Sequence, residues 1–147
     1  MFNALNISEA SNLAIHALIV LYNQGEKKKL STQYIAGLLR VSESHLAKVM
    51  QRLVKKGLLN SVRGAKGGFS LKRKPEDITL LEVAEIIDGN VPTKRCLFNE
   101  PRCFQGNCVI SRLQHDVSVM VRDRLSKHTV ADFKLDFKYL DEVESGN

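Results

Sequence analysis

The stretch Ser42-Glu43-Ser44-His45-Leu46-Ala47-Lys48-Val49-Met50-Gln51-Arg52-Leu53-Val54-Lys55-Lys56-Gly57 decides the fold of this chain. Leu46, Val49, Met50 and Leu53 recur at helical spacing and share one face, while Lys48, Arg52, Lys55 and Lys56 fall largely on the other. Ser42 is a good N-cap, and Gly57 is a natural stop behind two lysines that suit the negative end of a helix dipole. The segment therefore reads as a short helix, apolar on one side and basic on the other.

Its neighbours give it a purpose. Upstream, Ser31 and Thr32 can cap a short helix carrying Ile35, Ala36, Leu38 and Leu39, and Arg40-Val41-Ser42 leaves room only for a tight connection. Two short helices joined this way form a helix-turn-helix pattern. Downstream, Leu58-Leu59-Asn60-Ser61-Val62-Arg63 reads as a strand, Gly64-Ala65-Lys66-Gly67-Gly68 as a turn and Phe69-Ser70-Leu71-Lys72 as the returning strand. A hairpin directly after the second helix is a wing, with Arg63 and Lys66 at its tip.

The remaining elements frame this head. Residues 8–23 are expected to form a largely buried helix through Leu13, Ala14, Ala17, Leu18 and Leu21. Thr79-Leu80-Leu81-Glu82 has the form of a capping box opening a helix through Ile87. From Val109 a long helix carries Ile110, Leu113, Val117, Met120, Val121 and Leu125, a stripe wide enough to imply that a second copy of the chain covers part of it. Thr129-Val130-Ala131-Asp132-Phe133 restarts a short terminal helix. The expected fold class is mainly α with a small β-hairpin wing. Residues 1–78 form the winged helix-turn-helix, and residues 79–147 hold a cysteine loop (89–108) and a dimerisation helix within one compact homodimer.

Charge agrees with this division. Of the net +6, residues 1–78 carry 13 Lys/Arg against 5 Asp/Glu, and residues 79–147 carry 9 against 11. A basic front half facing a polyanion fits that asymmetry. The longest apolar run, residues 13–21, is too short to span a bilayer and contains His16, so no membrane partner is expected. No positive flank precedes that run, which argues against an export signal, and with an odd number of cysteines the expected location is the cytoplasm.

All the cysteine lies in Cys96-Leu97-Phe98-Asn99-Glu100-Pro101-Arg102-Cys103-Phe104-Gln105-Gly106-Asn107-Cys108. The intervening Asn, Glu, Pro, Arg, Gln and Gly residues make a poor core segment, so three buried inert thiols are disfavoured. Clustered thiolates suit a soft metal or an iron–sulfur cluster. Zinc stays open, since Cys103 and Cys108 loosely match a zinc-ligand pair.

For DNA, Ser42, Glu43, Ser44 and His45 occupy the helix end that such a motif inserts into the major groove. Glu43 could accept from a cytosine amino group, and the serines and His45 could bond bases or phosphates. A plainer role for Ser42 is the cap, and for Glu43 dipole compensation. Lys48 and Arg52 could neutralise phosphates, although charged runs are commonly solvated faces. Arg63 and Lys66 are stronger candidates, because arginine enters a compressed minor groove.

These residues resemble a known family. Tyr34-Ile35-Ala36 and Val41 through Lys48, followed by Leu53 and Gly57-Leu58-Leu59, resemble the bacterial winged-helix regulators of the Rrf-two type, typified by IscR and NsrR. Val62 through Leu71 is similar to that family's Arg-Gly-x-x-Gly-Gly-hydrophobic-x-Leu wing, and Thr79–Val83 and Thr129–Asp132 resemble its later segments. The resemblance covers nearly the whole chain. It implies a homodimeric transcription regulator, acting as a repressor on a palindromic double-stranded operator. In the branch with three clustered cysteines it implies an iron–sulfur cluster, [2Fe-2S] or [4Fe-4S], on Cys96, Cys103 and Cys108. The position of an IscR-type histidine ligand is Ser111 here, and that of an NsrR-type aspartate is Asn12. Some relatives use a first-helix histidine, and His16 is the matching candidate.

The expected function is thus a cluster-dependent DNA-binding regulator sensing nitric oxide, redox or iron–sulfur status. The alternative is the same fold with a thiol or zinc switch. An electron carrier would need no basic reading head, and no catalytic triad, phosphate loop or paired carboxylate suggests an enzyme.

Overall fold

The computed structural model describes residues 7–25, 28–90 and 108–135. Among the described residues, five helices, α1 (Glu9–Asn23), α2 (Thr32–Leu39), α3 (Glu43–Lys55), α4 (Leu80–Asp88) and α5 (Val109–Lys127), accompany one hairpin, β1 (Leu59–Val62) and β2 (Gly68–Leu71). The architecture is a winged helix with a long additional helix, as the sequence predicts. Cys96 and Cys103, with most of the expected loop, lie outside the described residues.

Local chemistry accounts for the helix starts. The side chains of Ser8, Ser31, Ser42 and Thr79 each accept a hydrogen bond from the backbone N–H three residues on. Each such cap contributes on the order of 1 kcal/mol. The expected box at Thr79 is only half used, because the Glu82 carboxylate goes to the guanidinium of Arg73. A complete box forms instead at Thr129 and Asp132, where the terminal helix is a single 3-10 turn, Val130–Asp132.

Helix α1 runs through the centre of the core. Ala14, Ala17 and Leu18 are fully buried, and the inner faces of α3 (Leu46, Met50, Leu53) and α4 (Val83) pack in the same core. Truncating any of these large side chains to Ala would cost about 2–5 kcal/mol. Arg40 caps α2 in the left-handed region (φ 53), and the Arg40 and Val41 amides donate to the carbonyls of Gly37 and Ala36. That local turn sets the angle at which α3 leaves α2.

The hairpin is antiparallel with Leu59 opposite Leu71 and Val62 opposite Gly68. The first strand loses one residue at each end of the expected Leu58–Arg63, and the second keeps its expected length but starts one residue earlier, at Gly68. The sequence gives no hint that Leu30 adds a bridge to Phe69, extending the hairpin back to the entrance of α2. At the other end of the molecule, Thr79 bridges Thr129, so the chain after α5 returns to the start of α4.

Candidate nucleic-acid interface and cysteine centre

At the N-terminal end of α3, Ser42, Glu43 and Ser44 are exposed and His45 is half-buried. The Ser42 hydroxyl accepts from the His45 amide at 3.4 Å and shares a 2.9 Å hydrogen bond with the Ser44 hydroxyl. Ser42 thus fulfils the capping role while Glu43 stays free to reach outward. Lys48 is exposed one turn further along. In the wing, the Gly67 amide donates to the Gly64 carbonyl at 2.9 Å, closing a tight turn. Arg63 and Lys66 stand exposed on that turn, beside a Val62 that is 44% exposed.

Arg52 is placed differently from the other basic residues. Its Nη1 donates to the carbonyl of Ile87 at 3.0 Å, at the end of α4. Asp88, the next residue, accepts from the Ser8 amide at 3.0 Å, from the Ser8 hydroxyl, and from the Ser11 hydroxyl at 2.7 Å. Burial would raise the Asp88 carboxyl, but the Ser8 and Ser11 hydrogen bonds and the Arg52 charge outweigh it and hold the group below its ordinary value. Sequence reasoning missed Asp88, whose partners lie far away in the chain.

A groove of about 490 Å³ separates α1 from the turn between α2 and α3. Glu9, Asn12 and His16 line one side, and Arg40, Ser42 and His45 the other. The fold therefore brings His16 and the reading helix onto one surface. His16 is exposed, and its Nδ1 donates to the Asn12 carbonyl at 2.8 Å in the tautomer that leaves the Nε2 lone pair free. Metal-binding histidines are commonly oriented in this way. Glu9 and Arg40, also lining the groove, carry no signal in the sequence that would mark them.

Cys108 is an unpaired, half-buried thiol at the N-cap of α5, and its side chain caps nothing. Further along α5, the Gln114 Oε1 and His115 Nδ1 atoms are buried with no hydrogen-bond partner. The described residues alone contain no group of three metal-ligating side chains. Cys108 and His16 are each of a donor type that soft metals and iron–sulfur clusters accept.

The outer face of α5 is apolar. Val109 is 76% exposed, Ile110 52%, Leu113 57% and Met120 56%. The inner side packs on α4 through Val121 and through an Arg122–Glu85 ion pair at 2.6 Å. Among the described residues, no helix is long and apolar enough to cross a membrane.

Residues 7–135 match the family described as Rrf2, an iron-dependent transcriptional regulator. The chain is similar to the HTH-type transcriptional regulator NsrR of Shouchella clausii, 27% identical over 133 residues, covering 89% of each protein. Among solved structures it resembles Staphylococcus aureus CymR in an oxidized form, at 26% identity and a TM-score of 0.67, covering 85% of this chain and 92% of that one. T. potens IscR shares the fold at 24% identity and a TM-score of 0.67, covering 92% of this chain and 96% of that one. The wing, the reading helix and this match over nearly the whole sequence agree: the chain belongs to the Rrf2 family of winged-helix transcription regulators.

Proposed function

We propose that this regulator binds a two-fold symmetric DNA operator as a homodimer and acts as a repressor whose affinity is set by an iron–sulfur cluster. Cys96, Cys103 and Cys108 would hold the cluster, and His16 of the partner subunit would offer the fourth ligand. The observation that carries this reading is the shared groove, where His16 faces Ser42 and His45 of the DNA-reading end. A ligand held at His16 lies against the reading helix itself.

The exposed stripe of α5 supports the homodimer, since an apolar face of this extent needs covering. Each half-site would be read by Ser42, Glu43, Ser44, His45 and Lys48 in the major groove, with Arg63 and Lys66 on the flanking backbone or minor groove. When bound, the cluster would supply an iron position that reacts with nitric oxide or oxygen, or empties when iron is scarce. Differential binding of about 5–150-fold between loaded and empty forms would make an effective switch.

A second reading is a thiol switch without iron, favoured by the likeness to an oxidized CymR. Anaerobic purification followed by iron and sulfide analysis separates the two. Iron-sulfide absorbance lost in a Cys103→Ala variant supports the cluster, and colourless protein whose DNA binding follows thiol oxidation supports the switch.

A further inference from the structure

The C-terminal end of α4 is tied to two other helices, to α1 through Ser8 and Ser11 and to α3 through Arg52. Asp88 takes hydrogen bonds from Ser8 and Ser11, fixing the first turn of α1. The Ser11 hydroxyl also lies 3.3 Å from the Ala84 carbonyl, on the same helix. One residue before Asp88, the Ile87 carbonyl receives the Arg52 guanidinium from α3. These bonds join the groove-bearing turn of α1, the reading helix and the point where α4 ends. The sequence then continues through Gly89 and Asn90 towards Cys96.

We propose that Arg52 and Asp88 are positioning residues that set the angle of the reading helix, and that Arg52 does not neutralise a DNA phosphate. The inference rests on the DNA-binding reading given above. A planar guanidinium has a fixed fork of donors, and here one arm is spent on a carbonyl at a helix end, where unpaired carbonyls need a donor. Lysine carries the same charge, but its ammonium does not sit where the Nη1 arm of the planar guanidinium lies, so it meets the Ile87 carbonyl with altered geometry. Asp88 is the matching anchor on the other side: three donors converge on one carboxylate, and an amide in its place could accept at only one of its two heavy atoms. Loss of Arg52 frees α4 from α3 and loss of Asp88 frees it from α1, so either change weakens the tie that runs from α1 through α4 to the reading helix.

The test compares salt dependence. A fluorescein-labelled duplex, selected by the parent protein from a random-sequence pool, is titrated with parent, Arg52→Lys, Arg52→Gln, Asp88→Asn, the Arg52→Gln/Asp88→Asn double variant and Lys66→Gln. A lost phosphate contact lowers the slope of log affinity against log salt by about 0.9, and Lys66→Gln is expected to do so. Both Arg52 variants are expected to weaken binding by about five-fold or more at every salt concentration with the parent slope. Asp88→Asn should behave likewise, and the double variant should be little worse than either single one.

An Arg52→Lys variant equal to the parent, with a flattened slope for Arg52→Gln, would overturn the inference and return Arg52 to the phosphates. Additive losses in the double variant would overturn the shared role. If Arg52→Gln unfolds at the assay temperature, Arg52→Lys and Asp88→Asn carry the comparison. A parent that shows no salt-sensitive binding to any duplex overturns the DNA-binding reading itself, and this inference with it.

Discussion

Leu30 and Phe69 exchange two backbone hydrogen bonds, the Leu30 amide to the Phe69 carbonyl at 3.0 Å and the Phe69 amide to the Leu30 carbonyl at 2.8 Å. The wing is thereby fixed to the residue just before the helix-turn-helix.

Gly68 is what permits this closeness. It has φ +140, and a Cβ there would sit 2.5 Å from the Leu30 carbonyl oxygen, which is backbone and cannot swing away. Gly68→Ala is expected to cost about 2 kcal/mol or more in a urea unfolding series. Gly64→Ala, at φ +106 with open space around it, should cost only the backbone strain of about 1–2 kcal/mol. Equal losses for the two would show that the Leu30 contact is not what demands glycine.

The Asp88 carboxyl is expected to shape acid stability. Burial opposes the charged form, but the Ser8 and Ser11 bonds and Arg52 keep the group below its ordinary 3.8. A carboxyl depressed in the folded state adds stability that is fully present above its unfolded value and is lost as pH falls through the lower folded value. The urea midpoint should therefore drop as pH is lowered below about 4, and the drop should be shallower in Asp88→Asn. Asp132, held low by the Thr129 amide, contributes in the same direction, so the variant removes only part of the effect. A parent and variant with parallel pH profiles would rule out this role.

Charge on the outer stripe of α5 should break the dimer. Ile110→Lys or Met120→Glu places a charge where an apolar face awaits a partner, and sedimentation should then report a monomer with unchanged helix content. Phe133→Lys, exposed outside that helix, serves as the control and should leave the association state as in the parent. A parent protein that sediments as a monomer would contradict the homodimer.

Glu43 is exposed at the first position of α3. Glu43→Ala is expected to relax the preference at one base pair of the half-site, worth about 1–3 kcal/mol of discrimination. A selection repeated with the variant that returns the parent's consensus would assign Glu43 to the helix dipole alone.

The elements of the reading head were legible because their signals are local: a serine cap, a period of 3.6, a glycine stop and a glycine-rich turn, all within residues 42–71. The apolar stripe of α5 was legible for the same reason. What escaped was long-range. Asp88 and Ser8 stand 80 residues apart, so nothing near Gly89 announces that this aspartate anchors α1. Arg52 looked like its neighbours Lys48 and Lys55 because charge pattern does not reveal which guanidinium finds a carbonyl on another helix. The same limit explains Glu82, which fits a capping box by spacing yet is drawn to Arg73, nine residues earlier. His16 is marked by the family resemblance alone, while its groove with His45 depends on how α1 meets the helix-turn-helix.

If sulfur-bound iron controls DNA affinity through the groove between α1 and the helix-turn-helix, as proposed, that affinity must change when the iron is lost. The decisive measurement is the affinity of anaerobically purified protein for its selected duplex, before and after the cluster is removed by nitric oxide or a chelator, in parent and His16→Ala. Bound iron and sulfide are expected in the parent, with a salt-sensitive affinity that changes about five-fold or more on cluster loss and a diminished change in His16→Ala. Protein that carries no iron, or whose affinity is the same with and without it, would contradict the account.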